Sequence, residues 1–172
     1  MKKLVLSNAE YNGCVLSILQ QMMQDKWIPD YIVGITRGGL GPAVMLSQYL
    51  NVPLNTLKVS LREGLDENAT ESNLWMAEDA FGYDKPAVKI LVVDDINDTG
   101  ATFNWIMEDW ASGCLPNSEQ WNEVWGQNVK FAVVVDNLAS KCNVKMNYVG
   151  MEVNKAEEDV WVEFPYENWW KK

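Results

Sequence analysis

A run of carboxylates and hydroxyl-bearing residues near the middle of the chain has the residue types and spacing to bind a phosphorylated sugar. Four apolar residues, 90–93, end in Asp94 and Asp95, and Asp98 follows three residues later. The run 99–102, Thr-Gly-Ala-Thr, then leads into apolar residues at helical spacing. This order predicts a buried parallel strand, a loop and the start of a helix. Ligands of open α/β sheets bind at this end of the strands.

The two kinds of residue in this loop suit two parts of such a ligand. Thr99, Gly100, Ala101 and Thr102 would present backbone N–H groups and two hydroxyls at a helix N-terminus, which favours a phosphate group. The carboxylates can accept hydrogen bonds from sugar hydroxyls, hold Mg²⁺ or move a proton. In the alternative interpretation the acids are merely solvated, and the Gly and Thr residues only form a turn and cap the helix. The complete run favours the ligand site.

Residues 92–102 closely resemble the phosphoribosyl-pyrophosphate (PRPP) signature of type I phosphoribosyltransferases, two acids followed by Asp-Thr-Gly-x-Thr. The resemblance implies that Asp94 and Asp95 hold the ribose hydroxyls and Mg²⁺, and that residues 99–102 hold the 5′-phosphate. It makes Asp98 the candidate general base and acid at N7 of a purine. The chain contains no histidine, so a carboxylate in this role agrees with the composition.

A second strand–loop–helix unit is predicted earlier in the chain. The strand Tyr31–Ile35 is followed by Arg37, Gly38 and Gly39 and then by a helical run. Arg37 adds a cation, and the glycines let the backbone approach a ligand. Alone, the glycine pair would indicate only a tight turn. Together with the first loop, it is similar to the pyrophosphate loop of the same family, which often has a cis peptide bond that we expect at Arg37–Gly38.

The C-terminal segment 160–167 carries a third match. It resembles the Trp-[Ile/Val]-x-x-Pro-[Trp/Tyr]-[Asp/Glu] segment of xanthine–guanine and related hypoxanthine phosphoribosyltransferases. The resemblance implies that Trp161 stacks on the purine and that the backbone of Val162 meets the edge of the base. The alternative is that Trp161 packs in the core or in an interface, where tryptophan is common. The order and spacing of the three segments favour stacking.

One position departs from the pattern of the xanthine–guanine enzymes. Those enzymes carry a lysine that meets the purine 6-oxo group, just after the strand that corresponds to residues 129–135. Asn137 occupies that place here, and the alternative is Lys141, four residues further on, which could take the role of that lysine if the loop differs. Asparagine can both donate and accept hydrogen bonds, so a 6-oxo group remains possible, as does a different base.

The chain predicts a single domain, residues 1–172. The expected fold class is α/β, a Rossmann-like parallel sheet of about five strands flanked by helices, with a small C-terminal hood over the base site at about residues 137–172. A capping box of Ser7 and Glu10 begins the first helix, which runs to about Lys26. Strands are predicted at Tyr31–Ile35, Leu54–Ser60, Ile90–Val93, Val129–Val135 and Tyr148–Val153.

Residues 61–85 between two of these strands are mostly polar and lack periodicity. A loop of this length in a compact domain is usually functional or mobile. In the family, this position carries a flexible flap that closes over the active site. A disordered surface loop is the alternative.

The composition excludes several classes of partner. The net charge of −10 argues against a surface for duplex nucleic acid, because phosphate contacts need clustered Lys and Arg. The three scattered cysteines form neither a metal spacing nor a disulfide framework. No apolar run approaches the roughly 20 residues of a membrane span. We therefore expect a cytoplasmic protein with no nucleic-acid or membrane partner.

Together, these patterns predict a Mg²⁺-dependent enzyme of purine salvage. It would transfer the 5-phosphoribosyl group of PRPP to a 6-oxopurine base (xanthine, guanine or hypoxanthine), giving a nucleoside monophosphate and pyrophosphate. A homodimer is expected because the family usually pairs. Two alternatives remain: a phosphoribosyltransferase for a different base, and a non-enzymatic regulator that binds PRPP or a nucleotide on the same fold.

Overall fold

The computed structural model describes residues 1–59, 61 and 73–172. The strands within them are β1 (Lys2–Val5), β2 (Tyr31–Thr36), β3 (Leu54–Lys58), β4 (Ile90–Asn97), β5 (Val129–Asn137), β6 (Tyr148–Val153) and β7 (Val160–Glu163). The helices are α1 (Asn8–Asp25), α2 (Leu40–Leu50), α3 (Leu74–Phe81), α4 (Ala101–Gly113) and α5 (Trp121–Val124), and a 3₁₀ turn covers Trp169–Lys171.

Strands β2 to β6 form one parallel sheet in the order β3-β2-β4-β5-β6. The predicted fold class and the predicted five strands are confirmed. Strand β4 lies at the centre, between β2 and β5. Since all five strands run the same way, their carboxyl ends share one edge of the sheet.

Apolar side chains of β4 alternate between two cores, one on each face of the sheet. Ile90 and Val92 pack with residues of α3, α4 and α5, whereas Leu91 and Val93 pack with residues of α1 and α2. All four side chains are completely buried. The strand reads as a continuous apolar run because helices cover both faces of the sheet.

A second, smaller sheet joins the two ends of the chain. Strand β1 pairs in parallel with β7, and Lys3 lies opposite Trp161. The predicted C-terminal hood therefore includes an N-terminal strand that the sequence did not predict. β1 has only four residues and is mostly exposed, so it carries little of the apolar pattern that marks a strand.

Helix α1 begins with the predicted capping box, which the structure confirms. Ser7 Oγ accepts the Glu10 N–H at 3.1 Å, and Glu10 Oε1 accepts the Ser7 N–H at 3.2 Å. The helix ends at Asp25, and Lys26 caps it with a φ of 53°. None of the helices in the described ranges is long and apolar enough to cross a membrane.

The predicted loop 61–85 is wrong in its later part, where Leu74–Phe81 forms α3. Met76, Ala77, Ala80 and Phe81 are buried on one side of this helix, which packs against α4. The apolar face spans only two turns, and the polar residues before it hide the pattern. Residues 62–72 of the predicted flap lie outside the described residues, as does the predicted end of β3 at Ser60.

The predicted position of the cis peptide bond is also wrong by one residue. The cis bond joins Thr36, the last residue of β2, to Arg37.

Candidate active site

Polar side chains follow four neighbouring strands of the sheet at the carboxyl edge. Arg37 follows β2, and Asp94 and Asp95 lie near the end of β4 with Asp98 directly after it. Asn137 ends β5, and Lys155 comes two residues after β6. Because the strands are parallel, these groups lie along one edge. The edge thus places a cation on each side of the central acids.

A cavity of about 900 Å³ opens on the β2 side of this edge. Arg37 and Gly38 line it from one loop, and Asp95 lines it from β4. Tyr166 and Trp170 line it from the C-terminal segment. The structure therefore brings three of the predicted site residues together and adds C-terminal residues for which no role was predicted.

The Asp95 carboxylate is held by contacts from several directions. Tyr166 Oη donates a hydrogen bond to Asp95 Oδ2 at 2.5 Å, and the Ile96 N–H donates to Asp95 Oδ1 at 2.8 Å. A Cβ added at Gly38 would lie only 2.1 Å from Asp95 Oδ2, so a larger residue there would displace the Asp95 carboxylate. Gly39 is buried at the start of α2.

Asp94, in contrast, is buried, with 9% of its surface exposed. Its Oδ1 accepts the Asp95 N–H at 2.8 Å. Burial raises the pKa of Asp94 well above its usual range, and the negative charge of Asp95 raises it further. Of the two adjacent acids, Asp95 is therefore the one that faces the cavity.

The Thr-Gly-Ala-Thr run lies at the N-terminus of α4, as predicted. Gly100 caps the helix with a φ of 90°, and a Cβ there would lie 2.3 Å from the backbone nitrogen of Cys142. The Thr99 carbonyl accepts the Lys141 N–H at 2.8 Å, and Thr99 Oγ1 accepts the Ala101 N–H at 3.2 Å. The loop is thus fixed by its neighbours, while Thr99 itself is exposed.

A second cluster joins the ends of β4, β5 and β6. Lys155 Nζ lies 2.8 Å from Asp98 Oδ1, and the Lys155 side chain is only 20% exposed. Asn137 Nδ2 donates to the Asp98 carbonyl at 2.8 Å. Asn137 Oδ1 accepts the N–H groups of Lys155 at 3.0 Å and Ala139 at 3.1 Å. One asparagine therefore ties together the two loops that carry the ion pair.

These contacts occupy the side chain of Asn137, whose base-binding role stays a prediction. The residue is 6% exposed, and its amide is engaged with backbone groups on both sides. It acts as a clamp between loops. Lys141, the alternative, is exposed and contacts the site through its backbone. Lys155, from the end of the next strand, supplies a cation beside Asp98 instead.

The two remaining predicted base-binding residues lie on β7. Trp161 is 50% exposed, so part of its side chain remains accessible to a ligand. Val162 is buried in the core beside α1, so only its backbone is left for the role predicted for it.

The sequence as a whole matches one protein family. Residues 14–167 match the family described as the phosphoribosyl transferase domain. This chain belongs to the phosphoribosyltransferase family. A comparison with curated proteins gave no significant match.

Solved structures share the fold of this phosphoribosyltransferase. A purine phosphoribosyltransferase from Pyrococcus horikoshii OT3 is 22% identical, with 98% of this chain and 96% of that chain covered and a TM-score of 0.65. A xanthine-guanine-hypoxanthine phosphoribosyltransferase from Helicobacter pylori is 17% identical, with coverage of 98% and 96% and a TM-score of 0.62. A hypothetical protein from Neisseria gonorrhoeae with bound ppGpp is 17% identical, with coverage of 96% and 89% and a TM-score of 0.65.

Several site residues of this phosphoribosyltransferase were missed by the sequence analysis. Lys155 lies outside the three matched segments, and no local pattern marks it. Tyr166 and Glu167 fall on the [Trp/Tyr]-[Asp/Glu] positions of the C-terminal segment, so a signal for them was present. Trp170 follows that segment and lines the cavity.

The cavity also has the donor chemistry for Mg²⁺, the metal that the resemblance implies. Asp95 and Glu167 both line it, and burial together with the charge of Asp95 raises the pKa of Glu167. Mg²⁺ commonly binds one or two carboxylates plus the phosphates of a substrate. Within the described parts of the chain, no cluster of three or more His, Cys, Asp or Glu side chains is placed to hold a metal. The residues therefore fit Mg²⁺ that shares its ligands with a substrate.

We expect Asp94→Asn to stabilise the free protein at neutral pH. A buried carboxyl with a raised pKa binds its proton more tightly in the folded state, so its contribution to stability is greatest at low pH. That contribution is lost as the pH rises from the unfolded pKa of about 3.9 through the raised folded pKa. At pH 7 the variant should gain on the order of 1 kcal/mol in the free energy of unfolding, and the gain should vanish near pH 4.

Urea denaturation across this pH range measures the effect. Asp159→Asn, at an exposed position, is the matched control, because it removes the same charge from a protein of net charge −10. A gain that is equal in the two variants would mean that general charge repulsion, not burial of Asp94, is responsible.

Asn137→Ala should destabilise the protein by about 2 kcal/mol or more. It leaves the Asp98 carbonyl and two backbone N–H groups without partners, and each unpaired buried group costs about 1–3 kcal/mol. Denaturation midpoints in urea test this, with Asn122→Ala at an exposed position of α5 as the control. Equal midpoints for wild type and Asn137→Ala would contradict the clamp.

Proposed function

We propose that this phosphoribosyltransferase transfers the 5-phosphoribosyl group of PRPP to a 6-oxopurine base, with Mg²⁺, and releases pyrophosphate. The observation that carries the proposal is the order of groups along the carboxyl edge of the sheet: Arg37, then Asp95, then the Asp98–Lys155 ion pair. This order offers a phosphate-binding half and a base-binding half on the two sides of β4. Two structural relatives named as purine enzymes support the choice of base.

The PRPP half would be formed by two loops. Residues 99–102 at the N-terminus of α4 would hold the 5′-phosphate, since the backbone N–H groups and the dipole of a helix N-terminus attract an anion. Arg37, Gly38 and Gly39 would hold the pyrophosphate. Asp95, which faces the cavity, would accept hydrogen bonds from the ribose hydroxyls, with Asp94 buried next to it.

The base half would be formed by the ion pair and by β7. On one edge of a 6-oxopurine, O6 lies beside N7. A carboxylate and an ammonium group 2.8 Å apart match that edge: Lys155 would donate to O6, while Asp98 would accept the proton on N7. Trp161 would stack on the face of the base, and the backbone of Val162 would meet its far edge.

The reaction then needs little covalent chemistry from the protein. The bond between C1′ and the pyrophosphate oxygen breaks, and its electron pair leaves with pyrophosphate. N9 of the base forms the new bond to C1′, and the proton on N7 passes to Asp98. Lys155 would stabilise the negative charge that develops on the base, and the two loops would hold the reactants in line. Asp95 and Glu167 would hold Mg²⁺, and the chemistry that the ion would supply there is neutralisation of negative charge on the leaving group.

The direct test is pyrophosphate release from PRPP with Mg²⁺ and a panel of bases: xanthine, guanine, hypoxanthine, adenine and orotate. We expect release with one or more of the three 6-oxopurines and less with adenine, which has no 6-oxo group. Release with adenine or orotate alone would assign a different base.

A regulator that binds a nucleotide is the second candidate. The structural likeness to a protein solved with bound ppGpp favours it over other non-enzymatic roles. Binding of PRPP or ppGpp with no release for any base in the panel would support the regulator and contradict the enzyme.

Lys155→Met should lower kcat/KM for the preferred 6-oxopurine about tenfold to a hundredfold, because it removes a charge-assisted hydrogen bond to O6. Steady-state kinetics measures the loss. Lys141→Met is the matched control, since Lys141 is exposed and contacts the site through its backbone. If both variants keep wild-type kinetics, Lys155 does not read the base.

The other features of the sequence interpretation stay predictions. They are the role in purine salvage, the homodimer, the cytoplasmic location, the single domain and the absence of a nucleic-acid partner.

A further inference from the structure

A tyrosine from the C-terminal segment reaches into the part of the cavity that the β4 acids occupy. Tyr166 Oη lies 2.5 Å from Asp95 Oδ2, across 71 residues of sequence. Tyr166 follows β7 and Pro165, whereas Asp95 belongs to the central strand of the main sheet. The contact is therefore made only when the small sheet and the main sheet are both in place.

The Tyr166 ring is fixed in position by two other aromatic rings. It stacks on Phe164 with ring centres 5.6 Å apart and an angle of 2° between the planes. Tyr11 of α1 lies edge-on to both rings, at 6.2 Å from Phe164 and 6.3 Å from Tyr166. Since Phe164 and Tyr11 are themselves buried, the Tyr166 hydroxyl has little freedom to leave Asp95.

The hydroxyl completes a set of contacts that define one orientation of the Asp95 carboxylate. The Ile96 N–H holds Oδ1, Tyr166 holds Oδ2, and the backbone of Gly38 closes the side next to Oδ2. Each carboxylate oxygen has two lone pairs, so both can still accept a hydrogen from a ligand. We propose that Tyr166 is a positioning residue that holds the Asp95 carboxylate in the orientation that receives the ribose hydroxyls of PRPP.

The local charge explains why a donor is needed at this point. Asp94 and Glu167 are both close enough for their charges to interact with that of Asp95. Without a donor, repulsion would turn the Asp95 carboxylate away from its neighbours and towards solvent.

This inference rests on the proposed function, and Tyr166→Phe tests it. The variant keeps the stacked ring and removes only the hydroxyl. Calorimetric titration of the variant with PRPP in the presence of Mg²⁺ should give a PRPP dissociation constant about tenfold higher than that of the wild type. This is the loss typical of removing a hydrogen bond to a charged group. In steady-state kinetics the KM for PRPP should rise, whereas the KM for the base should stay the same. A general structural defect would change both KM values.

Tyr11→Phe is the matched control. It removes a buried hydroxyl from the same ring cluster, one that has no hydrogen-bond partner among the described residues. It should bind PRPP as the wild type does. Equal PRPP affinity in wild type and Tyr166→Phe overturns the inference, and so does an equal loss in the two variants. A wild-type protein that binds no PRPP overturns the proposed function first, and the inference with it.

Discussion

The site depends on the close approach of two loops at the carboxyl edge of the sheet. Parallel pairing of β2 and β4 places the loop with Gly38 against the acids that end β4. The approach is so close that a Cβ at Gly38 would lie 2.1 Å from Asp95 Oδ2. In the proposed function, this contact sets where the ribose of PRPP would bind between the two loops. It is available only because helices cover both faces of the sheet and keep the two strands buried and in register.

Other residues at the carboxyl edge hold charged side chains in places where they would otherwise repel each other or turn to solvent. Asn137 links the backbones of two loops, so that Lys155 stays against Asp98. Asp94 is kept buried at a cost in stability, because its charged form loses hydration beside Asp95. Strained electrostatics of this kind are common at functional sites, where a ligand relieves them on binding. In the proposed function, the sugar and the metal of the substrate would provide that relief.

The parts of the fold that local sequence determines were predictable. The strand–loop–helix unit around Asp95 was clear because a continuous apolar run, a group of acids and a helical period follow each other within a few residues. Contacts between distant segments were not predictable. Lys155 pairs with Asp98 only because the order of the strands in the sheet brings the ends of β4 and β6 near each other. The Asn137 amide hydrogen-bonds backbone groups of two loops, which no local pattern indicates. Strand β1 is too short to be recognised without its partner β7.

The central claim is that the glycine backbone at position 38 and the Asp95 carboxylate together form the PRPP site. Gly38→Ala tests it most directly, with Gly13→Ala as the control, because a Cβ at Gly13 meets no atom within 4 Å. We expect Gly38→Ala to remain folded and to lose on the order of 10²-fold in PRPP-dependent turnover, as misplaced catalytic groups do. Gly13→Ala should keep full turnover. Wild-type turnover in Gly38→Ala would contradict the account.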